Sequence, residues 1–160
     1  MVAGSYTQET ESTIAPARLW KAGILDAHVL LPKISPEIIA SIDIIEGDGG
    51  VGTIKQCNFT PAVPDHKFVK DRTDVIDGEN YVFKYTVIEG GFLGPRISSY
   101  SLELSFTAAA GGSKGKLTLS YETTDETPLS EEEVGKILFG SDATLKAIEG
   151  YLHANPDAYV

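Results

Sequence analysis

Between residues 96 and 124 the chain carries two long alternating runs, RISSYSLELSF and KGKLTLSYETT, joined across Gly111-Gly112. In the first, Tyr100, Leu102, Leu104 and Phe106 share one parity, and Ser99, Ser101, Glu103 and Ser105 the other. In the second, Leu117, Leu119 and Tyr121 share a face. Side chains on a strand point alternately to opposite sides, so both runs describe strands with one apolar and one wetted face. The diglycine turns one into the other as an antiparallel hairpin. An apolar face that long must be covered, and the cover has to come from elsewhere in the chain.

The last segment can supply it. Ser130-Glu131-Glu132-Glu133 reads as a capping box, in which the serine oxygen accepts from a backbone N–H and Glu133 reaches back. The three carboxylates suit the positive end of a helix dipole. Behind them Val134, Ile137, Leu138, Leu145, Ile148 and Leu152 form a helical apolar stripe, which Asn155-Pro156 ends. Upstream, SYTQETEST predicts a first strand near residues 3–12. Pro16 opens a helix through ARLWKAGILD, where a missing N–H costs nothing. A break around Gly23 and Asp26 is followed by a second short helix, AHVLLPKI. SIDIIE, TIKQCNF, HKFVKDRTDVID and NYVFKYTVIE add four more strands. The predicted order is strand, two short helices, six strands and one long helix, an α+β fold.

A chain of 160 residues with 42% hydrophobic content suits a single domain, residues 1–160, with a sizeable core. Thirteen Lys and Arg against 23 Asp and Glu leave a formal charge of -10, which argues against nucleic acid or anionic membrane as a nonspecific partner. No run approaches the roughly 20 apolar residues of a spanning helix. The beginning MVAGSYTQETEST has neither a basic start nor an apolar stretch, and Cys57 is alone, so a cytosolic location is expected. No cofactor and no metal site is expected, since His66 and His153 lie in unrelated segments. Cys57 has no evident base and reads as buried and inert.

One motif invites a different reading. EGDGGVG places Gly47, Gly49 and Gly52 at the spacing of a dinucleotide-binding loop. Such a loop must open a helix whose N-terminal N–H groups hold the pyrophosphate. The residues after Gly52, TIKQCNF, alternate as a strand, and Glu46 and Asp48 would repel a phosphate. Gly47, Gly49, Gly50 and Gly52 therefore read as a structural turn between two strands, with glycines supplying positive φ.

The element order and several stretches resemble the plant pathogenesis-related class 10 proteins, the family typified by the major birch pollen allergen. The matching residues are Pro16-Ala17-Arg18-Leu19, Ile24-Leu25-Asp26, Leu31-Pro32-Lys33, Glu46 to Thr53, Val69-Lys70-Asp71-Arg72, Val87-Ile88-Glu89-Gly90-Gly91, and Tyr151-Leu152 to Ala158-Tyr159. The resemblance spans nearly the whole chain, and IEGDGGVGTIK is its most specific run. It implies a seven-stranded antiparallel sheet gripping the long C-terminal helix, two short helices beneath, and a large internal cavity between. It further implies an intracellular, defence-associated carrier for small hydrophobic metabolites such as flavonoids, cytokinins, sterols, fatty acids or alkaloids. A monomer, at most weakly dimerising, is expected.

The candidate pocket residues follow from the pattern and the resemblance together. Ile137, Gly140, Ser141 and Thr144 share a face of the long helix, and glycine and serine at mid-helix leave space beside them. Phe83, Tyr85 and Val87 share one parity of their strand, facing Tyr100, Leu102 and Leu104 on the next. By resemblance, Lys55, Cys57 and Phe59 also face inward, and Gly23, His28, Leu31 and Phe68 complete the lining. Lys55 is the sharpest of these, because a charge on an apolar face is costly unless it is paired or near a rim.

Enzymatic alternatives rest on the resemblance alone. The residues proposed for ribonuclease activity in the family correspond to the glycine loop, Lys55, Glu149 and Tyr151, while a further expected carboxylate is Ser98 here. Amine–aldehyde condensation would need Lys, Tyr and carboxylates in the pocket, of which Lys55 and Tyr100 are present. A hormone receptor of this fold would need gate and latch loops, and EGGFLGPR does not match such a gate closely.

Overall fold

A computed structural model describes residues Met1–Val160. The order is β1 (Ala3–Ser12), α1 (Pro16–Trp20), α2 (Ala27–Ile34), β2 (Ile39–Glu46), β3 (Ile54–Phe59), β4 (Phe68–Asp77), β5 (Val82–Gly90), β6 (Ile97–Ala109), β7 (Gly112–Thr123) and α3 (Glu131–Ala154). All seven strands form one antiparallel sheet in the order β1-β7-β6-β5-β4-β3-β2. The predicted fold class and element order are therefore those observed.

One local feature departs from the sequence reading. The first helix does not simply end near Gly23. It widens into a π-helical turn over Lys21–Leu25 and stops at Asp26. Insertions of this kind appear as single turns within α-helices.

The hairpin that fixed the fold class is the longest pairing, from Ile97↔Thr123 to Ala109↔Gly112. Its apolar parity is buried apart from the half-buried Leu104, and Ser99, Ser101 and Ser105 on the other parity are not. The capping box is formed: the Ser130 hydroxyl accepts from Glu133 N–H at 3.2 Å, and Glu133 Oε1 accepts from Ser130 N–H at 3.0 Å. Arg96 adds a bond from its Nε to the other carboxylate oxygen of Glu133 at 3.0 Å, which ties the start of α3 to the β6 end of the sheet.

The glycine loop joins β2 to β3, which pair directly. Gly47, Gly49 and Gly52 have φ of 96°, 102° and 88°, the region that glycine enters without strain. The loop spends its own donors. Gly49 N–H bonds Thr53 Oγ1 at 2.9 Å, Gly50 N–H bonds Asp48 Oδ1 at 3.0 Å, and Gly52 N–H bonds the Thr73 carbonyl at 2.8 Å. With those N–H groups taken, the loop is a turn and not a phosphate cradle.

The core is divided. One apolar cluster gathers Val87, Tyr100, Leu102, Leu119 and Tyr121 of the sheet against Val134, Ile137 and Leu138 of α3. The other gathers Phe83 and Phe106 against Leu19, Trp20, Ile24 and Leu30 of the short helices and Ile148 and Leu152 of α3. Between them the helix presents Gly140, Ser141 and Thr144. The chain ends are tied together across the second cluster. Arg18 donates to the carbonyls of Leu152, Asn155 and Ala158 at 3.1, 3.0 and 2.9 Å, and the Tyr159 hydroxyl bonds Asp26.

Candidate ligand cavity

The gap between the two clusters is a cavity of about 310 Å³. A Cβ added at Gly140 would meet nothing within 4 Å, so the small residues at mid-helix face open space and not a bulky strand neighbour. Thr144 turns its hydroxyl back to the Gly140 carbonyl at 2.8 Å, which satisfies it within the helix. Gly23 lies opposite, where an added Cβ would come to 3.1 Å from Ile148 Cδ1.

The structure brings the sequence-predicted lining together with one exception. Gly23, His28, Leu31, Lys55, Cys57, Phe59, Phe83, Tyr85, Tyr100, Leu102, Leu104, Ile137, Gly140, Ser141 and Thr144 all border the cavity. Phe68 does not. In the β3–β4 pairing Phe68 stands opposite Asn58, whereas Val69 stands opposite Cys57, so Val69 takes the inward position and Phe68 the outward one. A one-residue change of register exchanges the two faces of a strand.

The same pairing exposes what sequence reasoning missed. Lys55 is opposite Asp71, and both border the cavity. Asp71 carries the parity of Val69, and that was the available signal. It was obscured because β4 carries an extra residue, Asp74, between Thr73↔Tyr85 and Val75↔Lys84, which breaks the alternation further along the strand. His66, Phe92 and Ile42 were also missed. His66 packs edge-on against Phe92 with ring centroids 4.5 Å apart, at the end of the cavity where Phe92 N–H donates to the Tyr100 hydroxyl at 3.0 Å.

Burial dominates the electrostatics, and the one charge that the other groups share is Asp71. Burial raises its pKa to about 6, opposed by the attraction of Lys55. Burial lowers the pKa of Lys55, with Asp71 acting in the opposite direction. The Cys57 thiol is pushed up to about 12 by burial and then by Asp71, which leaves it protonated and unreactive as a nucleophile at neutral pH. Tyr100 is raised to about 12 by burial, and Tyr85 is raised further, again by burial and then Asp71. A single carboxylate thus bears on every other polar group of the inner sheet face named here. Lys55 and Asp71 nevertheless form no ion pair. The ammonium lies 5.8 Å from the Phe83 ring centroid.

Lys55 also borders a smaller space of about 290 Å³, with Ile24, His28, Ile44, Asp48 and Gly49. Ile24, His28 and Lys55 belong to both walls. Nδ1 of His28 is buried there without a hydrogen-bond partner. The residues of the ribonuclease alternative do not converge. Glu149 and Tyr151 are outside the cavity wall, and the Tyr151 hydroxyl accepts from Lys33 Nζ at 3.2 Å. Ser98 is exposed and donates to the Glu122 carbonyl at 3.2 Å.

A family model described as the Pathogenesis-related protein Bet v 1 family matches residues 1–155. The chain belongs to the Bet v 1 family. It is 41% identical over 156 residues to the major pollen allergen Bet v 1-M/N of Betula pendula, covering 97% of each chain. It is 42% identical over 159 residues to the major allergen Pru ar 1 of Prunus armeniaca, covering 98% of this chain and 99% of that protein. The crystal structure of Ara h 8.0201 superposes with a TM-score of 0.85 at 34% identity, over 96% of this chain and 100% of that one. Norcoclaurine synthase from Thalictrum flavum shares the Bet v 1 fold, with a TM-score of 0.72 at 24% identity over 94% of this chain and 87% of that one. No helix of this Bet v 1 family member is long and apolar enough to cross a membrane.

Proposed function

We propose that this chain binds and carries small, largely apolar, partly hydroxylated molecules in the cavity between its two core clusters. The observation that supports this most directly is the composition of the wall. It is apolar over most of its extent, and four of its polar groups (Lys55, Asp71, Tyr85, Tyr100) are gathered on the inner face of the sheet, with His28 on α2 and Ser141 and Thr144 on α3. Enclosure supplies the affinity, and those groups orient a hydroxyl or carbonyl. Removing ~300 Å² of apolar ligand surface from water at ~25 cal/mol per Å² is worth about 7 kcal/mol. After the cost of immobilising the ligand, that corresponds to a dissociation constant of micromolar order or weaker. Flavonoids, cytokinins and sterols fit that chemistry, in a cytosolic and defence-associated setting. Titration with a fluorescent hydrophobic probe, then displacement by members of those three classes, tests the reading. Saturable one-site binding with displacement is expected, and absence of saturable binding refutes it.

A further inference from the structure

Lys55 is an unusual wall residue. Its amine faces an apolar cavity with no hydrogen bond and no ion pair, and it lies over the Phe83 ring. Asp71 is its cross-strand partner, on the same face, yet the two groups do not close on each other. Two opposed, complementary groups are left apart where a small polar function could enter between them. The other titratable groups bordering the space are His28, Cys57, His66, Tyr85 and Tyr100. None of them hydrogen bonds Lys55.

We propose that Lys55 forms a reversible imine with aldehydes or ketones that enter the cavity, with Asp71 as the acid that expels water. The proposal rests on the cavity admitting small apolar molecules. The Lys55 lone pair attacks the carbonyl carbon, the C=O π electrons move to oxygen, and proton transfer from nitrogen to oxygen gives a neutral carbinolamine. Asp71 then donates its proton to the carbinolamine hydroxyl, the C–O bond breaks, and water leaves. The nitrogen lone pair forms the C=N bond. The balance is neutral amine, protonated carboxyl and carbonyl compound giving an iminium, a carboxylate and one water. The iminium is left facing the carboxylate, and no oxidant or reductant is required. Desolvation favours the neutral amine, and Asp71 holds its proton to about pH 6, which suits both roles. Exposed lysines are held as hydrated ammonium and lack the exclusion of water.

The test incubates the full chain with benzaldehyde at pH 5.5, reduces with sodium cyanoborohydride, and maps the benzyl adduct by peptide mass spectrometry. Modification of Lys55 at least tenfold above any other lysine is expected, suppressed when the fluorescent hydrophobic probe saturates the cavity. Labelling spread evenly over the lysines overturns the proposal. Lys55→Arg is expected to keep a native circular dichroism spectrum and lose the preferential adduct; persistence of the same site-specific adduct yield elsewhere overturns the assignment. Asp71→Asn is expected to slow adduct formation at least tenfold while its circular dichroism spectrum stays native, and an unchanged rate removes Asp71 as the acid. A wild-type chain that fails to bind the probe but labels at Lys55 refutes the carrier reading alone.

Discussion

Replacing Asp71 by Asn should make the folded state more stable at neutral pH and leave it unchanged in acid. The isolated carboxyl titrates at 3.8, whereas in the cavity burial raises it to about 6. The unfolded chain therefore ionises this group first as pH rises. Below 3.8 both states hold the proton and no cost exists. Between 3.8 and about 6 the native state loses stability progressively, and above about 6 the full cost is present. A tenfold change in a protonation equilibrium is worth about 1.4 kcal/mol, so ionised Asp71 costs the native state about 3 kcal/mol. The attraction of Lys55 is already included, because it opposes the rise. Asparagine keeps the shape and removes the charge, so Asp71→Asn should gain about 3 kcal/mol at pH 7.5, on the order of 6–12 °C in Tm. Urea unfolding followed by the fluorescence of Trp20, the single tryptophan, measures it at pH 7.5 and pH 3.5. A variant no more stable than the parent at pH 7.5, or equally stabilised at both, would refute the reasoning.

Lys55→Met removes the nearby positive charge, so the Asp71 midpoint should move upward from about 6, read as the carboxyl chemical shift in a pH titration by NMR. Gly23→Phe should fill the cavity from the helix side and weaken probe binding at least tenfold, while circular dichroism stays native; unaltered affinity would place the probe elsewhere. Ser130→Ala removes one half of the capping box and should cost about 1 kcal/mol in urea unfolding, without changing probe affinity.

The hairpin and the capped helix were legible because each satisfies a simple period. From Tyr100 to Phe106 in β6 and from Leu117 to Tyr121 in β7 every second residue is apolar, and in α3 the stripe from Val134 to Leu152 meets them. Lys55 and Cys57 were placed by resemblance to the family, since β3 is half-buried throughout and its burial shows no alternation. Asp71 was not placed, for a physical reason. Its strand is bulged at Asp74, so no single parity runs through Phe68–Asp77, and choosing Phe68 over Val69 shifts the inner face by one residue. A hydrophobicity rule prefers phenylalanine inside and aspartate outside, and this strand inverts that preference. The widened turn at Lys21–Leu25 was equally invisible, because an extra residue in a helix leaves no separate mark in the apolar pattern.

The pairing of β1 has a consequence for the order in which the molecule can be made. Its hydrogen-bonding neighbour in the sheet is β7, with Ser12 opposite Ser113 and Ala3 opposite Glu122. Arg18, a few residues later, is held by carbonyls at 152, 155 and 158. On a ribosome releasing about 5–20 residues each second, the first strand emerges several seconds before the strand that will receive it. The first helix waits longer still for its anchor. The amino-terminal residues must remain unpaired through most of synthesis, and they do so as a polar run with little to aggregate. Threonine, glutamate, glutamine and serine dominate SYTQETEST, a composition suited to a strand that is made first and docked late.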